Sequence, residues 1–274
     1  MNIQGITALI TGASRGIGRA IALELARNGV GRLLLVARDR QKLAELAAEL
    51  SDMEVEVITL ALDLTQPTEV NIALAQAWRT HGPIDLLVNC AGVAHQTPFL
   101  KSKLPQVQEE LSLNLMGLYT VTRAIARRMA TRNQGTIVNV SSLMGKIAAP
   151  TMSTYSATKF AILGFTEALR SELAQHNIKV MALLPTLTDT DMTRRLQLFR
   201  WVTPMTPQQV AQVLIIGLRK DSPEILVGWQ SHLAVWCRRI APWVMNKVLK
   251  MASPLSRNYP ESPTAWRRVG AASR

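Results

Sequence analysis

Apolar residues follow two alternating rhythms along the chain. Short runs rich in Leu, Ile and Val occupy positions 6–10, 33–36, 55–60, 86–88, 136–140, 179–184 and 225–227, and the intervals between them carry apolar residues at three- and four-residue steps. The first rhythm suits strands buried on both faces, and the second suits helices with one apolar side. Strands joined by helices of this length run parallel with right-handed crossovers. The pattern therefore predicts an α/β fold, a doubly wound parallel sheet of about seven strands with helices on both faces. Ligands of such a sheet sit beyond the carboxyl ends of its strands.

After residue 228 the rhythm changes, which divides the chain into a main unit at 1–228 and a C-terminal extension at 229–274. Between Gln230 and Met251, the residues Leu233, Cys237, Ile240, Val244, Val248 and Met251 recur at helical steps, with Arg238, Arg239, Asn246, Lys247 and Lys250 on the other side. Pro242 is expected to break this stretch into two shorter helices. From Ser253 onward, three prolines and few apolar residues predict an irregular, mobile tail.

Composition narrows the classes. A chain of 274 residues with 48% hydrophobic content can bury a substantial core, and the two cysteines, Cys90 and Cys237, rule out a dense disulfide framework. No signal-type segment opens the chain and no apolar run approaches the roughly 20 residues that span a bilayer, so a cytoplasmic location is expected. The net charge of +12 is concentrated in residues 191–274, which carry +9. No zinc-finger spacing or RNA-binding aromatic motif accompanies that charge, so no nucleic acid is expected; an anionic membrane surface or an acidic partner suits it better. His81, His95, His176 and His232 lack metal-ligand spacing, and no metal is expected. His95 follows closely on the run Asn89 to Gly92, whose candidate role comes with the motifs below.

Candidate chemistry begins directly after the first strand with Thr11, Gly12, Ala13, Ser14, Arg15, Gly16, Ile17 and Gly18, followed by a helical run. Glycines here permit a tight turn and close approach of a pyrophosphate to the helix N-terminal amides. After the second strand, where a carboxylate would bind the adenosine ribose of NAD, stands Arg38. With Arg15 it can hold a ribose 2′-phosphate, which favours NADP(H) over NAD(H). Asp63, after the third strand, either accepts a hydrogen bond from the adenine amino group or caps a helix. Further on, Tyr155 and Lys159 are four residues apart in a helical segment, one turn apart on one face. A neighbouring ammonium stabilises a phenolate, so the pair suits acid–base chemistry.

Together with Ser142 and Asn114, these motifs resemble the short-chain dehydrogenase/reductase family in its single-domain branch, over roughly residues 5–228 and in the expected order. The family's glycine motif corresponds to Thr11 through Gly18, and its Asn-Asn-Ala-Gly motif to Asn89, Cys90, Ala91 and Gly92. The resemblance implies a Rossmann-like fold in which Tyr155 donates or removes the substrate proton, Lys159 tunes that phenol and binds the nicotinamide ribose, Ser142 holds the substrate oxygen and Asn114 supports a water-linked proton relay. It also implies that Asn89, Ala91 and Gly92 line the cofactor, and that Pro185, Thr188 and Thr190 meet the nicotinamide carboxamide. Cys90 in place of the second asparagine, and Thr186 in place of the glycine after Pro185, depart from the family pattern. Homodimers or homotetramers built on the helices carrying Asn114 and Tyr155 are implied as well.

Leu143, Met144, Ile147, Pro150, Met152, Leu187, Met192, Leu196, Phe199 and Trp201 surround the expected substrate position, which suggests an apolar or lipid-like ketone or alcohol, such as a 3-oxoacyl or steroid-like compound. Half of such residues commonly pack a core instead. Three roles stay open for residues 230–251: packing or a subunit contact, a lid, or peripheral membrane contact. The competing functional class is a non-catalytic NADP-binding regulator on the same fold.

Overall fold

The computed structural model describes residues 1–197, 199–200 and 202–254. Trp201 and most of the expected irregular tail lie outside the described residues. Seven parallel strands, β1 (Thr7–Thr11), β2 (Arg32–Ala37), β3 (Glu56–Ala61), β4 (Leu86–Asn89), β5 (Gly135–Val140), β6 (Ile178–Leu184) and β7 (Glu224–Leu226), form one sheet in the order β3-β2-β1-β4-β5-β6-β7. Every strand begins within a residue of its expected position.

Alternate strand residues feed two cores. Ala8, Ile10, Leu33, Leu35, Leu86 and Val88 join helices α1 (Gly16–Arg27), α2 (Arg40–Leu50) and α7 (Pro207–Arg219) on one face. Leu9, Leu34, Val36 and Leu87 meet α3 (Pro67–His81) and α5 (Leu118–Arg132) on the other, where Leu169 and Leu173 of α6 (Ser153–Leu173) also pack. This two-sided burial explains why the strands read as continuous apolar runs rather than alternating ones.

The order of connection reverses between β1 and β4, and the gap there is the crevice such sheets use for ligands. The Thr11 hydroxyl closes its floor by accepting from the amides of Cys90 (3.0 Å) and Ala91 (3.1 Å). α4 (Leu104–Leu111) runs into a π-helical stretch, Ser112–Gly117, before α5 continues. Helices α8 (Trp229–Ile240) and α9 (Pro242–Ala252) follow β7, divided at Pro242 as the sequence predicts. Among the described residues no helix is long and apolar enough to cross a membrane.

Candidate active site

Strand ends and loops converge on a cleft of about 360 Å³ above the switch point. Gly12, Ser14, Arg15, Gly16, Ile17, Gly18, Arg38, Ala91, Gly92, Ser142, Tyr155, Lys159, Pro185, Thr188 and Thr190 all line it. Three expected site residues do not form its wall. Asn89 is buried beneath it, donating to the Thr122 hydroxyl (2.8 Å) and Asn139 Oδ1 (2.9 Å). Asn114 lies deeper, as described below. Asp63 turns one carboxylate oxygen to the Thr65 amide and hydroxyl, in a turn that leads toward α3, while Leu62 and Leu64 on either side of it face the cleft.

The phosphate end is built from backbone. Gly12 has φ +69°, and a Cβ there would stand 2.8 Å from the Ala91 Cα, so the first glycine is required both by conformation and by space. α1 starts at Gly16 without a side-chain cap or an acidic residue in its first turn, leaving its amides for a bound anion. Asp39, one residue after Arg38, is committed to capping α2 by accepting from the Lys42 amide (3.1 Å). Arg15 and Arg38 are exposed at the cleft rim.

The catalytic end rests on buried polar contacts. Ser141 and Ser142 follow β5 but face different partners. Ser141 is buried and donates to the Lys159 carbonyl (2.8 Å), whereas Ser142 opens to the cleft beside Tyr155 and accepts from the Met144 amide (3.1 Å). Leu143 N donates to Pro185 O (2.8 Å), tying this turn to the loop after β6. The Lys159 ammonium is buried, donates to Val140 O (3.0 Å) and stands 5.5 Å from the Tyr155 ring centroid. Burial lowers its pKa to about 8 and pushes the Tyr155 phenol up to about 12, with Ser142 pulling the phenol the other way. At neutral pH the phenol therefore carries its proton. Beside them, burial also raises the Cys90 thiol to about 12, which makes it a neutral filler at the departing position.

Asn114 explains the π-helical turn. Its Oδ1 accepts from Val93 N (2.9 Å), and its Nδ2 donates to Val93 O (2.9 Å) and the Thr158 hydroxyl (3.2 Å). The side chain thus mimics a neighbouring strand for the loop after β4. One helical turn earlier, Glu110 extends the same arrangement: it is buried and accepts from the His95 amide at 2.5 Å. The sequence singles out Thr11 as the start of the glycine loop but not for this role beneath the crevice, and it singles out neither Glu110 nor the Thr158 hydroxyl.

The cleft fits a nicotinamide dinucleotide on its own evidence. The Thr186 hydroxyl is buried without a hydrogen-bond partner at the cleft wall, next to the loop expected to meet a carboxamide. A Cβ on Gly92 would reach within 3.2 Å of Asn114 Oδ1, so that wall is also cut to backbone thickness. Of the expected apolar substrate residues, Met192 and Leu196 line an adjoining outer cleft of about 690 Å³ with His95, Gln96 and Gln197, while Ile147 and Met152 are buried in the protein instead. Packing claims them because they flank the turn that seats α6 against β5.

A parallel sheet in this order, with a glycine-walled crevice at its switch point and a serine, tyrosine and lysine facing into it, defines a dinucleotide-dependent oxidoreductase of the Rossmann type. The family profile described as short chain dehydrogenase matches residues 6–200. The chain belongs to the short-chain dehydrogenase/reductase family. It is 33% identical to the 3-oxoacyl-[acyl-carrier-protein] reductase FabG of Aquifex aeolicus, over 85% of this chain and 97% of that protein. A short-chain dehydrogenase from Sphingobium yanoikuyae in complex with NADPH superposes with a TM-score of 0.76 at 31% identity, covering 96% of this chain and 99% of that one. One from Burkholderia phymatum in complex with NAD has a TM-score of 0.81 at 24% identity, covering 89% and 96%, and shares the fold.

Proposed function

We propose that the protein is an NADP(H)-dependent oxidoreductase that interconverts a ketone or aldehyde with an alcohol, on an apolar or lipid-like substrate such as a 3-oxoacyl or steroid-like compound. The observation that carries this reading is the Tyr155 phenol, protonated and facing the same cleft as Ser142, beside a buried Lys159 ammonium and with Arg15 and Arg38 at the rim. When bound, the nicotinamide supplies or accepts the hydride. Ser142 holds the substrate oxygen, Tyr155 delivers the proton to that oxygen in reduction or removes it in oxidation, and Lys159 holds the ribose hydroxyls and favours the phenolate left behind. Asn114, which holds the loop after β4 through both backbone groups of Val93, supports a water-linked proton relay through Lys159. Arg15 and Arg38 hold the 2′-phosphate, a preference supported by the commitment of Asp39 to a helix cap. The printed activity of the Aquifex relative and the NADPH of the Sphingobium neighbour agree with this reading.

The same proposal takes residues 1–228 as the catalytic unit and residues 229–274 as an extension, in a cytoplasmic homodimer or homotetramer that touches a membrane peripherally through residues 230–251. It is tested by following reduced-nicotinamide absorbance with a medium-chain 3-oxoacyl thioester, a steroid-like ketone and a small polar ketone. Consumption stoichiometric with alcohol formed, faster with NADPH than with NADH and with the apolar carbonyls, is expected. Binding of NADPH without turnover of any carbonyl would instead mark a non-catalytic binder.

A further inference from the structure

Helix α8 packs with its largest apolar residues outward. Its inward side carries small or short residues: Ser231 is fully buried, with its hydroxyl donating to Val227 O (2.6 Å), and Ala234 and Val235 are half-buried. The large apolar residues Trp229, Leu233, Trp236 and Ile240 follow at steps of four, three and four, which stack on one side of a helix. All four face outward, at 73%, 51%, 61% and 61% exposure. A helix recruited to the core would turn such a stripe inward. α9 continues the surface with Trp243 and Met251, 66% and 55% exposed, and with the Lys247 ammonium 5.7 Å from the Trp243 ring centroid.

Charge selects the occupant. From Trp229 to Pro254 the chain carries Arg238, Arg239, Lys247 and Lys250 and no Asp or Glu. Arg238 clips the two helices together through Asn246 Oδ1 (2.9 Å). A second copy docking symmetrically on this face would bring the same basic residues against themselves. An anionic bilayer offers what the face lacks: headgroup charge for the lysines and arginines, and an interfacial layer for the tryptophans.

We propose that the α8–α9 pair is a docking surface for anionic membranes, on which the Trp229, Leu233, Trp236 and Ile240 stripe and Trp243 enter the headgroup layer. This rests on the peripheral contact in the proposed function and assigns its face and its lipid. The surface is joined to the substrate side: Arg200 N donates to Ala252 O (3.1 Å) at the end of α9, and Pro254 lines the outer cleft. That junction links the docking surface directly to the wall of the outer cleft.

The test uses the full chain, sedimented with vesicles of phosphatidylcholine alone or of phosphatidylcholine mixed with phosphatidylglycerol, a readout independent of turnover. Binding to the mixed vesicles, weak binding to the neutral ones and release by salt are expected. Replacing Trp229, Leu233, Trp236 and Ile240 together by Ser, or Arg239, Lys247 and Lys250 together by Gln, should each weaken binding about tenfold or more while NADPH affinity, which reports folding, stays at the parent value. Because those sets lie on the rim and stripe separately, failure of one variant to fold leaves the other to decide. Three results overturn the proposal: no vesicle binding by the parent chain, equal binding by folded variants, or a larger oligomer that the stripe variant dissolves, which would mean that a second copy covers the face.

Discussion

Lys159 and Tyr155 show how one helical turn can set two titrations against each other. Neither group touches a carboxylate within hydrogen-bonding distance among the described residues, so burial dominates, driving the ammonium down to about 8 and the phenol up to about 12. Lys159 is charged below that value and loses its charge above it; NADPH affinity should weaken as pH rises through about 8, measured by fluorescence titration, and a flat profile would contradict the assignment of Lys159 to the ribose. In the proposed function Arg38 selects the dinucleotide. Arg38→Ala removes a charge-assisted contact worth about 1.5–3 kcal/mol, so kcat/KM with NADPH should fall by roughly 10- to 100-fold while that with NADH changes little; equal losses would place the residue elsewhere. That Tyr155, Lys159, Ser142, Arg38 and the glycines line one cleft was legible because each is a residue type whose chemistry or backbone freedom suits a fixed distance from a strand end. Glu110 was not, since its partner is the backbone amide of His95, and a buried carboxylate serving a distant loop leaves no periodic trace.

At the scale of elements, α4 and the π-helical stretch act as an artificial strand edge. Asn114 pairs both backbone groups of Val93 and Glu110 takes the amide of His95, so alternate residues of the substrate-side loop are held from one helix face. Burial raises the Glu110 carboxyl above its ordinary range, with the His95 amide and ring and Lys159 opposing and Glu109 adding to the rise. Stabilisation from the neutral carboxyl is thus complete below the usual carboxylate range and is lost as pH rises through the raised folded value. Glu110→Gln keeps an acceptor for His95 but cannot ionise, so thermal melts should show a flatter decline of stability with rising pH than in the parent; an unchanged slope would mean the group is not buried as a carboxylate. The strands and the break at Pro242 could be read from apolar rhythm and proline chemistry. The π-helical turn could not, because one extra residue in a turn hardly disturbs a pattern of three- and four-residue steps. Nor did the rhythm of 230–251 say which way it faces: amphipathicity records that two sides differ, not which one meets solvent.

Across the whole molecule, parallel order alone places every functional loop on one edge of the sheet, and the switch between β1 and β4 places the glycine turn opposite Gly92. The outer faces of the helices near the site carry a further apolar surface, with Met116, Tyr119 and Phe160 exposed on the π-helical stretch, α5 and α6. Subunit pairing there predicts a dimer or tetramer by light scattering, reduced to monomer by Met116→Asp with Phe160→Asp; a monomeric parent would contradict it. The central claim is that the Tyr155 hydroxyl carries the transferred proton. Steady-state kinetics of Tyr155→Phe, with NADPH affinity measured on the same sample, tests it most directly. The account predicts near-parental NADPH binding with turnover lowered by roughly 10²- to 10⁴-fold, the usual share of a general acid; turnover close to the parent's in a variant that still binds NADPH would contradict it.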